Sequence, residues 1–260
     1  MNRIEKVMTN LQTSGEKAFI PYIMAGDGGL DVLAERITFL EKAGATAIEL
    51  GIPFSDPVAD GPVIQKAGIR ALANGTTLRA VLNKVAEIRP IVHIPLIFMT
   101  YMNPIMAYGA ASFIEDCAKA GIDGLILPDL PIEEEDLIAP IAEKAGIEII
   151  RLVTLTSPLE RIEKIAGKGK GFLYAVTVTG TTGVRREFNE KLGEHLARVK
   201  SVSQIPVFAG FGISSPEHVK KMTQLCDGVI VGSRIIELLE AEDYAGIEAL
   251  IGASKTVDVI

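Results

Sequence analysis

The chain has 260 residues, of which 48% are hydrophobic and 5% aromatic, and its formal net charge is −7. The apolar fraction excludes a disordered chain and is sufficient for a large buried core. The acidic balance argues against a nucleic-acid or polybasic membrane surface. The two cysteines, Cys117 and Cys226, are far apart, which argues against a disulfide framework or a zinc ribbon and favours a reducing, cytoplasmic compartment.

The beginning of the chain predicts a short helix and no targeting segment. Residues 1–6 are charged and are not followed by a secretory apolar core. We expect residues 1–14 to form an extra amphipathic helix that caps the floor of the fold. The most apolar stretch, residues 94–108, is interrupted by two prolines and an asparagine, so it does not predict a membrane span.

A repeated pattern then indicates alternating helices and buried strands. Lys-Ala-Gly precedes an apolar run at Lys42, Lys119 and Lys144. Each copy predicts a helix end with a glycine just beyond it, a short turn and a buried strand. The predicted strands are Phe19–Ala25, Ala47–Gly51, Pro95–Tyr101, Gly124–Asp129, Glu148–Thr154, Gly171–Thr177, Pro206–Gly210 and Gly228–Gly232.

Helical patterns lie between these strands, for example over Asp31–Lys42, Ala111–Lys119 and Glu133–Lys144. The acidic run at the start of the last pattern is interpreted as dipole partners on a solvated helix face. About eight strands alternating with helices predict a single (β/α)8 TIM barrel over residues 1–260, with the extra N-terminal helix. A doubly wound open sheet is the alternative, although no G-x-G-x-x-G follows the first strand.

Two carboxylates are the candidate acid and base. Glu49 lies within a buried strand, where a carboxylate must be paired, neutralised or functional. The proline-rich loop that follows can hold Asp60 over the same barrel mouth, because function in such barrels gathers at the carboxyl ends of strands. Asp56, which precedes Pro57, is open to interpretation as a turn former or helix cap. We expect one of the two to be buried and tuned toward neutral pH and the other to be more solvated and ionised.

The last strands of the predicted barrel carry glycine-rich turns. Gly210 and Gly212 follow the seventh strand, and Gly232-Ser233 follows the eighth at the start of a helix. Backbone N–H groups of this kind form an anion site in many barrels, so we expect a phosphate there. The Gly/Thr-rich segment 179–186 is interpreted either as a lid over an anionic substrate or as a surface loop.

The remaining reactive side chains carry no recognisable pattern. The three histidines, His93, His195 and His218, do not accompany a carboxylate cluster, and neither metal-ligand spacing nor a Ser/His/Asp arrangement is present. Both cysteines are predicted to be core residues. No metal is therefore expected.

A longer signature runs along the whole chain in a constant order. It consists of Glu49 to Pro62 (ELGIPFSDPVADGP), followed by Tyr-Met-Asn-Pro at 101–104, Pro-Asp-Leu-Pro at 128–131, Gly-Thr-Thr-Gly-Val-Arg at 180–185, Gly-Phe-Gly-Ile-Ser at 210–214 and Gly-Ser at 232–233. This signature resembles that of the tryptophan synthase alpha chain family. The resemblance implies a lyase that cleaves indole-3-glycerol phosphate into indole and glyceraldehyde 3-phosphate, without a cofactor in this chain.

The resemblance also implies roles for individual residues. Glu49 corresponds to the proton-transfer residue of the family and Asp60 to the carboxylate that pairs with the indole N–H. The implied substrate pocket consists of Tyr22, Thr100, Ile126, Tyr174, Thr182 and Phe211. The implied phosphate site consists of Gly183, Gly210, Gly212, Gly232 and Ser233. The family commonly has Phe at the position of Tyr22 and Leu at that of Thr100.

The family further implies a partner, a beta chain carrying pyridoxal phosphate in an α2β2 heterotetramer. The implied partner interface is Phe54, Ser55, Asp56 and Pro57. Reasoning from the residues alone leaves two other classes open. One is a flavin-dependent barrel oxidoreductase with its phosphate on the same glycines, and the other is a binding or regulatory subunit with inert carboxylates.

Overall fold

A computed structural model describes residues 2–177, 188–210 and 212–255 of the chain. Its parallel strands are β1 (Ala18–Met24), β2 (Ile48–Gly51), β3 (Leu96–Met99), β4 (Gly124–Ile126), β5 (Glu148–Thr154), β6 (Leu173–Val176), β7 (Val207–Gly210) and β8 (Gly228–Val231). They hydrogen-bond in chain order, and β8 pairs with β1 so that Ala18 lies beside Gly228. The sheet is therefore a closed barrel, which confirms the (β/α)8 prediction and excludes the open sheet.

Helices connect the strands and surround the barrel. They are α1 (Arg3–Ser14), α2 (Leu33–Lys42), α3 (Pro62–Ala73), α4 (Leu78–Ile88), α5 (Met102–Tyr108), α6 (Ala110–Ala120), α7 (Ala139–Lys144), α8 (Leu159–Gly167), α9 (Phe188–Val202), α10 (Pro216–Leu225), α11 (Ser233–Glu240) and α12 (Tyr244–Lys255). Two 3₁₀ helices cover Arg89–Ile91 and Ile132–Leu137. None of the helices in the described ranges is long and apolar enough to span a membrane.

The repeated Lys-Ala-Gly pattern ends three helices as expected. Gly44, Gly121 and Gly146 follow the ends of α2, α6 and α7 with φ values of 95°, 81° and 76°. These values lie in the left-handed region, where glycine has no Cβ penalty. The chain thus turns directly from each helix into the next strand.

Helix α1 closes the floor of the barrel, as predicted. Ile4 is fully buried. Its side chain lies so close to Gly124 and Gly171 that a Cβ added to either glycine would be within 3 Å of it. Arg3 forms an ion pair with Asp123 at 3.0 Å, and these contacts tie α1 to the amino ends of the strands. The opposite, carboxyl end of the barrel is left for the site.

Apolar side chains alternate between two layers. Outward residues such as Phe98 and Leu125 pack against the surrounding helices. Inward residues such as Ile97, Ile126 and Phe208 fill the barrel, and the inner surface of α3 joins them at the mouth. The alternation of side chains along each strand therefore decides which of them face the interior of the barrel and reach the site.

The prediction of one helix over Glu133–Lys144 is wrong. A 3₁₀ helix ends at Leu137, Ile138 has a φ of −139°, and α7 begins at Ala139. Pro140 explains the break, because within a continuous helix its ring would clash with the carbonyl four residues earlier.

The interpretation of the acidic run as a solvated face is also wrong for one member. Glu135 is buried and receives two hydrogen bonds from Arg151 on β5, at 2.7 and 2.9 Å. Glu133, in contrast, is exposed and pairs with Arg161 and Lys164, which lowers its pKa to about 2. The acidic run therefore ties the connection between β4 and α7 to β5 and α8.

Two predicted strands extend two or more residues too far at their carboxyl ends. Strand β3 ends at Met99 rather than Tyr101, and β4 ends at Ile126 rather than Asp129. Tyr101 is the N-cap residue of α5, and the Asp129 carboxylate accepts a hydrogen bond from the N–H of Met102. These residues leave the strand ladder to build the mouth of the barrel.

Candidate active site

Glu49 is a carboxyl group buried at the mouth of the barrel. It lies on β2 beside Tyr22 of β1 and Ile97 of β3, and it is 4% exposed. Its Oε2 atom has no hydrogen-bond partner within the part of the chain that the structure describes. Burial first, and the charge of Asp60 second, raise its pKa from 4.5 to about 8. At neutral pH this carboxyl group is therefore mainly protonated.

Asp60 is the second buried carboxylate of the mouth. It ends the loop between β2 and α3, is 5% exposed, and accepts a hydrogen bond from the Tyr101 hydroxyl at 2.9 Å. The side-chain amide of Gln65 donates a hydrogen bond to the backbone carbonyl of Asp60 at 2.8 Å. Burial raises the pKa of Asp60 to about 6, and the hydrogen bond from Tyr101 opposes that rise. Asp60 is therefore mainly ionised at pH 7, while Glu49 is not. The expectation that one of the pair is more solvated is wrong, because both are buried.

Two tyrosine rings of the predicted pocket cover glycines beside these carboxyl groups. A Cβ on Gly51 would lie 1.9 Å from Tyr22 Oη, and a Cβ on Gly210 would lie 2.4 Å from the ring of Tyr174. Any larger residue at either glycine would displace the ring. Burial, and after it the charge of Glu49, raises the pKa of Tyr174. Burial also raises the pKa of Tyr22, with smaller contributions from both carboxylates. Both phenols are therefore neutral.

The other predicted pocket residues fall into three groups. Ile126 points into the barrel. Thr100 does not fit the pocket, because Met99 and Tyr101 on either side of it face inward, and alternation directs Thr100 toward the outer layer. Met99 is thus the residue that β3 presents to the mouth. Thr182 and Phe211 lie outside the described residues.

The predicted phosphate residues cluster where β7 and β8 end. Gly210 is the last residue of β7, Gly212 follows with a φ of 80°, and Gly232 is the N-cap residue of α11, which starts at Ser233. A Cβ on Gly232 would lie 3.3 Å from Ile64 Cδ1 of α3, so the start of α11 faces the mouth. Its N-cap residue, Gly232, has no side chain with which to cap the helix, so the first N–H groups of α11 are suited to an anion. Gly183 and the segment 179–186 lie outside the described residues.

The loop between β2 and α3 has an inward and an outward side. Phe54 is half-buried, with its ring centroid 5.5 Å from that of Tyr101. Ser55 and Asp56 are exposed and hydrogen-bonded to each other, which agrees with a turn role for Asp56. Val58 is 81% exposed. The outward side is therefore a polar turn followed by an uncovered apolar side chain.

Tyr101 is the site residue that sequence reasoning missed. The Tyr-Met-Asn-Pro motif indicated the segment, but nothing in its spacing showed that the phenol reaches a carboxylate 41 positions earlier in the chain. Cys117 and Cys226 are buried, as predicted, and burial raises the pKa of both thiols.

Comparisons with known proteins agree over almost the whole chain. The family model for the tryptophan synthase alpha chain matches residues 8–256. A tryptophan synthase alpha chain from Bacillus cereus is 56% identical over 252 residues, which is 97% of each chain. The crystal structure of tryptophan synthase subunit alpha from Legionella pneumophila superimposes with a TM-score of 0.90 at 36% identity, covering 99% of this chain and 100% of that one. A structure of Mycobacterium tuberculosis tryptophan synthase gives a TM-score of 0.90 at 33% identity, covering 98% and 99%.

Proposed function

Because this chain belongs to the tryptophan synthase alpha chain family, we propose that residues 1–260 act as one barrel domain that cleaves indole-3-glycerol phosphate with Glu49 and Asp60. The products are indole and glyceraldehyde 3-phosphate, in the alpha reaction of tryptophan biosynthesis, and the enzyme is a lyase. Family membership supports a chain without a cofactor of its own. The observation that carries the proposal is the pair of buried carboxyl groups with pKa values raised to about 8 and about 6.

Glu49 is suited to move the protons of a retro-aldol cleavage. In its protonated form it donates a proton to C3 of the indole ring, which places positive charge on the ring nitrogen. The bond from C3 to the glycerol carbon then breaks, and its electron pair returns to the ring. The hydroxyl group on that carbon loses its proton as the aldehyde forms. The Glu49 carboxylate accepts this proton, so the carboxyl group is regenerated.

Asp60 is suited to stabilise the charge that develops on the ring. The hydrogen bond from the indole N–H to an ionised carboxylate becomes stronger as the nitrogen becomes cationic. Because the Tyr101 hydroxyl already binds Oδ1, the other oxygen of Asp60 is the one assigned to the substrate. One carboxyl group thus transfers protons while the other remains charged, a division of roles set by their surroundings.

The rest of the substrate is assigned to the walls and rim of the mouth. Tyr22, Ile126 and Tyr174 would contact the indole ring, together with Thr182 and Phe211. Strand alternation favours Met99 over Thr100 for this role. The phosphate would bind at Gly210, Gly212, Gly232, Ser233 and Gly183. The uncapped start of α11 supports this assignment, because helix N-termini favour anions.

Family membership also indicates a beta-chain partner. We assign Phe54, Ser55, Asp56 and Pro57 to the contact with it, and we propose an α2β2 assembly whose beta chain carries pyridoxal phosphate and receives the indole.

An indole-formation assay on indole-3-glycerol phosphate tests the function, with and without a beta chain. We expect indole from the wild type and at least about a hundredfold loss in Asp60→Asn, as for other positioned electrostatic groups. Glu148→Gln is the matched control, because it neutralises a buried strand carboxylate at the floor of the barrel, where it binds Asn2. The absence of indole from the wild type under both conditions would overturn the proposal, and a yellow, flavin-absorbing protein would favour the oxidoreductase.

A further inference from the structure

Tyr101 contacts the loop between β2 and α3 at three points. Its hydroxyl donates to Asp60 Oδ1 at 2.9 Å and accepts from the Ala59 N–H at 3.1 Å, while its ring packs against Phe54. The side chain is 2% exposed. Because the Ala59 N–H occupies the acceptor side of the hydroxyl, the phenolic proton is directed at the Asp60 carboxylate.

The backbone next to Tyr101 is itself anchored by a hydrogen-bonded carboxylate. Tyr101 is the N-cap residue of α5, and the first N–H of that helix, on Met102, donates to both oxygens of Asp129 at 3.1 and 2.9 Å. A carboxylate at a helix N-terminus is favoured by the helix dipole. A chain of contacts therefore leads from the end of β4, through the start of α5, to Asp60.

We propose that Tyr101 is a positioning residue for the reaction: it keeps Asp60 ionised and aimed into the mouth, and Asp129 fixes Tyr101 by anchoring α5. This inference rests on the proposed function, since it assigns Asp60 to the substrate N–H. It adds a residue that acts on Asp60 through one directed hydrogen bond.

The electrostatics of the mouth make this hydrogen bond consequential. Asp60 faces Glu49 on β2, Tyr22 on β1 and Tyr101 at the start of α5. Burial raises the pKa of Asp60. The hydrogen bond from Tyr101 opposes this rise. Burial and the Asp60 charge raise the pKa of Tyr101, so it remains a donor over the working range.

The test is the Tyr101→Phe variant, which keeps the ring on Phe54 and removes only the hydroxyl. A hydrogen bond to a charged group corresponds to about one or more pKa units. We expect the pKa of Asp60, followed by carboxyl ¹³C NMR, to rise by at least about one unit above its present value. Indole formation should then fall about fivefold or more relative to wild type at pH 6 and by a clearly smaller factor at pH 8, because Asp60 is ionised again there and only its orientation is impaired.

A matched control is available on the same helix. Tyr108→Phe also removes a phenol that donates to a carboxylate, that of Asp116 at 2.6 Å, but on the surface. It should leave the pH profile unchanged. Asp129→Ala, which removes the acceptor for the Met102 N–H, should shift the Asp60 pKa in the same direction as Tyr101→Phe, by a smaller amount.

Each outcome separates the positioning role from the proposed function. An unchanged Asp60 pKa in Tyr101→Phe, or an activity loss equal at pH 6 and pH 8, would overturn the positioning role. The NMR titration needs no turnover, so failure of the indole assay in the wild type would refute the function without deciding the pKa shift. If Tyr101→Phe does not fold, the Asp129→Ala titration decides the question, and an unchanged pKa there overturns the proposal.

Discussion

Replacing Glu49 with Gln should stabilise the free chain, by an amount that depends on pH. The native pKa of Glu49 is raised from its usual 4.5 to about 8. Between these values the unfolded chain ionises this group while the folded chain does not, so the stability of the wild type falls as pH rises through that window. Linkage gives a cost of about 1 kcal/mol at pH 5 and about 3 kcal/mol at pH 7. Glutamine, which is neutral throughout, avoids both costs.

Urea unfolding followed by circular dichroism at pH 5 and pH 7 measures this difference. Glu49→Gln should have a larger free energy of unfolding than the wild type. This excess should be roughly 2 kcal/mol greater at pH 7 than at pH 5. Glu143→Gln is the control, because that exposed carboxylate pairs with Lys170, which lowers its pKa, so its loss should not stabilise the chain. A Glu49→Gln variant no more stable than wild type at pH 7, or a gain independent of pH, would refute the reasoning.

Two further predictions concern packing at the mouth and an ion pair outside it. Gly51→Ala should displace the Tyr22 ring, lower the rate of indole formation and destabilise the fold by about 1–3 kcal/mol in thermal unfolding, whereas Gly167→Ala, in open space on α8, should leave both unchanged within about 1 kcal/mol. Arg151→Leu should leave the buried Glu135 with Lys168, 3.9 Å away, as its remaining basic partner and cost about 3 kcal/mol in urea unfolding, with the indole assay at wild-type rate below the transition; a loss under about 1 kcal/mol would contradict a buried ion pair.

Much of the barrel was predictable because its signals are local. The three Lys-Ala-Gly copies mark helix ends, and short apolar runs mark strands buried on both faces. The same locality identified Glu49, since a carboxylate within such a run has few structural explanations. Helix α1 over the floor followed from its amphipathic pattern.

The features that sequence reasoning missed depend on contacts between distant segments. Glu135 was placed on a solvated face because its partner, Arg151, lies on the following strand. Thr100 was placed in the pocket by the resemblance alone, which does not show that Met99 and Tyr101 on either side of it face inward, and a shift of one residue reverses which side chain faces inward. The hydrogen bond from Tyr101 to Asp60 joins the segments that follow β3 and β2. Their proximity is visible only in the closed barrel.

The pH dependence of indole formation tests the central claim most directly. Activity requires ionised Asp60 and protonated Glu49, whose pKa values are raised to about 6 and about 8. The value of kcat/KM measured from pH 5 to pH 9 should therefore follow a bell with its maximum near pH 7, falling on the acidic side as Asp60 gains a proton and on the basic side as Glu49 loses one. A profile that is flat across this range, or one that rises continuously above pH 8, would contradict the assignment of the two carboxyl groups.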